Sequence, residues 1–155
     1  MDSLEGKKAA AFTLEGSDGK KHSIKDYLGK RVVIYFYPKD NTPGCTKESC
    51  GFRDLNAEIK DLNTVVLGVS KDNLESHDKF IADFKLPFVL LSDPETKMMA
   101  KYGAWGEKVL YGKTSIGCIR STVIIDEKGK IIKHWRKVPK AEAHPAKVLE
   151  FLLSL

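Results

Sequence analysis

Two apolar runs with an amphipathic segment between them constrain this chain more than any other feature. Residues 31–37 (Arg-Val-Val-Ile-Tyr-Phe-Tyr) form a continuous apolar and β-branched stretch, as expected of a central strand covered on both faces. Between residues 46 and 62, Phe52, Leu55, Ile59 and Leu62 fall at helical spacing with polar residues between them. Residues 64–69 (Thr-Val-Val-Leu-Gly-Val) then read as a second buried strand. Strand, helix and strand in that order make a β-α-β unit, with parallel strands and a right-handed crossover. Pro38 closes the first strand, a turn-rich loop follows, and Cys45 falls in the first turn of the helix.

The flanking sequence extends this unit. Residues 11–14 and 21–24 surround Gly16-Ser17-Asp18-Gly19, a hairpin-turn composition. A short helical turn is expected over 24–28. A second helix is expected over 73–84, a third strand over 88–91 and a short helix over 96–102. Residues 104–117, with glycines at 106, 112 and 117 and little periodicity, predict a loop. Strands over 120–126 and 130–135 surround the turn Glu127-Lys128-Gly129, and a final helix spans 141–153. This order predicts an α/β, thioredoxin-like fold: a central mixed β-sheet flanked by helices, with an N-terminal β-hairpin extension.

At 155 residues the chain fits a single domain, 1–155, with one core. No stretch approaches the roughly 20 apolar residues that span a bilayer, and the N-terminus lacks the apolar run of a signal peptide. A cytoplasmic protein without membrane association is expected. The net charge of +5 arises from 26 basic residues interleaved with 21 acidic ones, and the densest cluster, residues 133–137, is short. That pattern describes a solvated surface rather than a nucleic-acid-binding stripe. Three cysteines are too few, and odd in number, for a secreted disulfide scaffold. Cys45 and Cys50 lack the spacing of a zinc half-site and the histidines at 22, 77, 134 and 144 are scattered, so neither a metal nor another cofactor is expected. Redox or nucleophilic thiol chemistry remains.

A thiol at a helix start is placed for reactivity, because free backbone N–H groups and the positive end of the helix dipole favour its anion. Attack on an O–O bond needs that anion, a fixed cation and donors aimed at the leaving oxygen. Arginine suits the second task, being always charged and carrying its donors in a rigid fork. Thr42 supplies a hydroxyl three residues before Cys45, and Pro38, which has no N–H, can wall the thiol off from water.

Pro38-Lys39-Asp40-Asn41-Thr42-Pro43-Gly44-Cys45 resembles the peroxiredoxin signature P-x-x-x-T-x-x-C. T-P-G-C-T with a second cysteine five residues after the first is similar to the bacterioferritin comigratory protein subfamily, also called peroxiredoxin Q. Ala11-Phe12-Thr13-Leu14, Leu91-Ser92-Asp93, the block from Tyr102 to Lys108 and the block from Arg120 to Asp126 resemble other family segments in the right order. The resemblance implies a thiol peroxidase of antioxidant defence that reduces hydrogen peroxide and organic hydroperoxides. It makes Cys45 the peroxidatic cysteine, with Thr42 bonding thiolate and peroxide. Arg120 would stabilise the thiolate and bind the peroxide, and Pro38 would be the shielding proline. Cys50 would be the resolving cysteine, with thioredoxin or a similar dithiol protein as reductant and a monomer as the working unit.

Residues five apart on a helix have Cα atoms about 8.6 Å apart, whereas a disulfide needs less than about 7 Å. The first turns of the helix are therefore expected to unwind once Cys45 is oxidised. Cys118 reads as an inert or half-buried thiol at the start of the strand that carries Arg120, with a resolving or regulatory thiol as the alternative. Glu48 reads as a first-turn acidic residue favoured by the dipole, with tuning of the thiol or a hydrogen bond with Tyr37 as the alternative. His134-Trp135 reads as surface. Trp105 reads as loop packing or as a cover for the site. The competing function is a thioredoxin-like disulfide reductase or thiol chaperone. It calls for a C-x-x-C pair after a tryptophan, which the chain does not contain.

Overall fold

The computed structural model describes residues 3–155. Strands β1 (Thr13–Gly16) and β2 (Lys21–Ser23) form the N-terminal hairpin, and a 3-10 turn (Ile24–Tyr27) leads to β3 (Arg31–Phe36). Helix α1 (Pro43–Asp61), β4 (Thr64–Ser70), α2 (Leu74–Phe84), β5 (Val89–Ser92) and α3 (Lys97–Lys101) follow. The chain ends with β6 (Trp105–Leu110), β7 (Lys113–Cys118), β8 (Ser121–Ile125), β9 (Ile131–Trp135) and α4 (His144–Leu153).

Seven strands make one mixed sheet in the order β2-β1-β5-β4-β3-β8-β9. The β-α-β prediction holds, since β3 and β4 pair in parallel with Val33 opposite Val66, and β5 continues the parallel set beside β4. β8 runs antiparallel to β3, and β9 antiparallel to β8. The N-terminal hairpin is part of this sheet, because β1 pairs antiparallel with β5.

Alternation along β3 divides the core in two. Val32, Ile34 and Phe36 pack with Leu67, Val69, Met99 and Tyr102. Val33, Tyr35 and Tyr37 face the other way, against Phe52 and Ile59 of α1, Phe80 of α2 and Val148 and Leu152 of α4. The second layer carries Cys45. Tyr35 locks α1 to the sheet through a 2.8 Å hydrogen bond with Ser49 Oγ and a ring contact with Phe52.

Three expectations need correction. Residues 104–117 are not a loop: β6 and β7 pair from Trp105↔Cys118 to Leu110↔Lys113 as a separate two-stranded sheet. Tyr111 and Gly112 both have positive φ, 52° and 77°, as a two-residue hairpin turn of the right twist requires. Glycines hid the strands, and with Val109 and Ile116 exposed there was no buried face to set an alternating pattern. Cys118 accordingly ends β7 and does not begin β8. His134-Trp135 is not surface either. His134 is buried, and Trp135 packs edge-on against His144 and Phe151 because α4 covers β9.

Gly51 marks a close approach between α1 and α4, since a Cβ there would lie 2.7 Å from Pro145 Cγ. The rigid proline ring cannot yield. Gly51→Ala is expected to destabilise the fold by about 1–3 kcal/mol despite alanine's better helix propensity, as measured by urea unfolding.

Candidate active site

The site forms where β3 ends. Thr42 is the N-cap of α1 in an extended conformation (φ −88°, ψ 153°) and Pro43 takes the first helical position, where a missing N–H costs nothing. The first helical bond runs from Thr46 N to Thr42 O at 2.8 Å. Cys45 lies two residues beyond Pro43, in the turn where backbone N–H groups have no helical acceptor, and its side chain is fully buried.

Arg120 comes from far along the chain but arrives by register. Ser121 of β8 pairs with Phe36, the last residue of β3. The residue before Ser121 therefore lies at the sheet end from which the Cys45 loop departs. Arg120 Nη2 donates to Cys45 Sγ at 3.1 Å, and Nη1 donates to Glu48 Oε1 at 2.7 Å. Gly44 leaves room for this approach, as a Cβ there would sit 3.3 Å from Arg120 Nη2. The Arg120 side chain keeps 18% of its exposure. A shallow cavity lined by Gly44, Lys47, Arg120, Pro139 and Ala143 opens onto it, so a small solute reaches the guanidinium although the sulfur is covered.

Glu48 departs from the reading as a first-turn acid favoured by the dipole. It is fully buried one turn beyond Cys45 and bonded to Arg120, beside the thiol as the tuning alternative expects, while Tyr37 bonds Asp40 instead. Burial pushes its carboxyl up to about 7, partly offset by Arg120, and its second oxygen is buried without a hydrogen-bond partner. A signal was present: positions 45, 48, 52, 55 and 59 make one helical stripe, so an acid at 48 falls on the core-facing side.

The other sequence-predicted residues lie as follows. Thr42 is beside the thiol in sequence, but its hydroxyl donates to Lys39 O at 2.8 Å. Pro38 is half-buried at the exit of β3. Cys50 is half-buried on the same helix as Cys45, and both thiols are free. Cys118 is buried, and burial pushes its thiol up to about 12, with Lys108 and Arg120 offsetting only part of this. A thiol held neutral in this way is a weak nucleophile.

Residues 6–134 match the AhpC/TSA family. A putative peroxiredoxin bcp of Helicobacter pylori strain J99 is 50% identical over 153 residues, covering 98% of this chain and all of the relative. Peroxiredoxin Bcp of Bacillus subtilis is 46% identical over 147 residues, covering 95% and 93% of the two chains. Among solved structures, Xanthomonas campestris peroxiredoxin Q superposes with a TM-score of 0.86 at 38% identity, covering 92% of this chain and 90% of that one. A further structure of the Xanthomonas campestris bacterioferritin comigratory protein, from work on its alkyl peroxide reduction activity, gives a TM-score of 0.86 at 37% identity, with the same coverage.

The Glu48 carboxyl generates a pH prediction. Its ordinary value is 4.5 and its folded value about 7, so between the two the folded chain holds a proton that the unfolded chain has lost. Stability from this group is therefore present below pH 4.5 and falls as pH rises towards 7. Glu48→Gln is expected to remove that slope. Urea-unfolding series at about pH 5 and pH 8 are expected to show the variant gaining on the parent at the higher pH.

Proposed function

The chain belongs to the AhpC/TSA family and, like its peroxiredoxin relatives, is a thiol peroxidase; from that premise we propose that Cys45 is its peroxidatic cysteine and Cys50 its resolving cysteine. The observation that carries the reading is the 3.1 Å bond from Arg120 Nη2 to Cys45 Sγ in the first turn of α1. A fixed cation and free helix-start N–H groups hold the thiolate and offer donors where charge develops on the leaving oxygen.

The Cys45 thiolate attacks the terminal oxygen of a hydroperoxide. The O–O bond breaks, an S–O bond forms, and the departing alkoxide or hydroxide takes a proton to leave as alcohol or water. Cys45 is then a sulfenic acid. The Cys50 thiol condenses with it, releasing water and forming the disulfide. A dithiol protein such as thioredoxin restores both thiols and becomes a disulfide itself. Thr42 turns its hydroxyl from Lys39 O towards the bound peroxide, and Pro38 shields the thiol. Hydrogen peroxide and organic hydroperoxides are the substrates. The enzyme acts as a single-domain monomer in the cytoplasm, where its sparse cysteine usage fits a reducing compartment.

Both cysteines lie within α1, Pro43–Asp61. Intact helical geometry holds their Cα atoms about 8.6 Å apart, beyond the limit of about 7 Å for a disulfide. The first turns of α1 must open before the bond can close.

After one equivalent of peroxide, mass spectrometry is expected to find a Cys45–Cys50 disulfide, and a Cys45–Cys118 product would reassign the resolving role. Cys45→Ser is expected to abolish peroxide reduction. Cys50→Ser should keep the first oxidation but not recycle with thioredoxin. Amide exchange over residues 45–52 should speed up in the disulfide form, and equal protection in the two forms would sink the unwinding step.

A further inference from the structure

Asp40 lies midway between Pro38 and Thr42, and its side chain is 1% exposed. Three donors from two elements converge on the carboxylate. Tyr37 Oη, at the exit of β3, donates to Oδ1 at 2.6 Å. From α2, Ser76 Oγ donates to Oδ2 at 2.8 Å, and His77 Nδ1 meets Oδ2 at 2.7 Å. The backbone is tied down as well, because Asp40 N donates to Asp72 Oδ2 at 2.9 Å, and Ser70 Oγ holds Asp72 at 2.6 Å. Asn41, the next residue, has a φ of 61°, in the left-handed region. The loop thus turns sharply at the point where it is anchored.

The fully buried His77 has an unusual pair of partners. Its Nε2 lies 2.9 Å from Leu91 O, which can only accept, so Nε2 carries a hydrogen. Its Nδ1 faces the Asp40 carboxylate, which already receives Tyr37 and Ser76 and, when ionised, can only accept. With Asp40 ionised, this geometry calls for a hydrogen on both ring nitrogens of His77. Tyr37 remains a phenol donor, because burial foremost, with Tyr35 and Asp40 adding to it, pushes its hydroxyl well above the ordinary range. Asp72 supplies a second carboxylate next to the Asp40 backbone. His77 therefore ties β5, α2 and the catalytic loop together.

We propose that His77 is a positioning residue of the peroxidase: as a buried imidazolium it grips Asp40 and so fixes the loop that sets Thr42 and Cys45 opposite Arg120. This rests on Cys45 being the thiol that reacts with peroxide. His77 touches neither substrate nor sulfur and acts through the loop. The grip also sets a fixed end, Asp40, beyond which α1 opens for disulfide formation.

The test exploits amide mimicry of the two ring nitrogens. In His77→Asn the side-chain amide stands near Nδ1 and keeps a donor for Asp40. In His77→Gln it stands near Nε2 and serves Leu91 O instead. Stopped-flow oxidation of Cys45 by hydrogen peroxide, well below each unfolding midpoint, is expected to slow about tenfold or more in His77→Gln. His77→Asn is expected to recover most of the parent rate. A folded His77→Gln variant as fast as the parent overturns the proposal, and so do two equally slow variants, which indicate a general packing role. If His77→Gln does not fold, Ser76→Ala removes one donor from the same carboxylate oxygen. A fall of about twofold or more then supports the proposal, and a parent-like rate overturns it.

Histidine 15N spectra of the unaltered protein give an independent arm. Hydrogens on both His77 ring nitrogens at neutral pH are expected, and a bare nitrogen overturns the imidazolium. Failure of the parent itself to oxidise at Cys45 would overturn the peroxidatic assignment instead, which keeps the two failures distinct.

Discussion

Arg120 reaches the start of α1 because β8 runs antiparallel beside β3, with Ser121 opposite Phe36. The guanidinium then spans one helical turn, bonding Cys45 Sγ with one nitrogen and Glu48 Oε1 with the other. Everything else at the site is arranged around this fork. Gly44 gives it room, and the cavity at Pro139 and Ala143 keeps one side open. Glu48 holds its plane. Since burial keeps that carboxyl protonated up to about 7, the charge of the arginine is not shared between two full anions below that pH. Below that pH a single cation thus bonds the sulfur while a largely neutral partner positions it.

Helix α1 serves two opposed demands. Phe52 and Ile59 seat it in the core, and Ser49 is bonded to Tyr35. Its first turns nevertheless carry Gly44, Ser49 and Gly51, and a glycine inside a helix costs about 1 kcal/mol relative to alanine. Gly51 is fixed by the approach of Pro145 and Gly44 by that of Arg120. The packing that completes the site therefore also weakens the part of the helix that the proposed cycle must open. The second half of α1, rich in better helix formers, can stay seated while the first half moves.

What could be read from the sequence was what local periodicity writes. The apolar run of β3, the stripe of Phe52, Leu55 and Ile59 and the turn at Glu127-Lys128-Gly129 each announce an element within a few residues. The helix-start cysteine and its loop were legible for the same reason. Glu48 was half-legible, since its place on the apolar stripe conflicts with its charge and the charge was given too much weight. The β6–β7 hairpin escaped because neither strand buries a full face. His77 could not be found at all. Its partner Asp40 lies 37 residues away, and the two meet only because α2 packs where the catalytic loop leaves the sheet.

The outermost strands of the sheet bear on how such an enzyme survives its own motion. One edge is β2, three residues long and beginning at Lys21. At the far side, β9 is preceded by the isolated bridge between Lys8 and Lys130. Short strands and lysines at an edge are poor templates for pairing with another chain. In the proposed cycle, opening of α1 over the core bares apolar surface at each turnover, as in a partly folded chain. With its sheet margins blunted in this way, each opening can end in reclosure rather than in the cross-chain strand pairing that seeds aggregates.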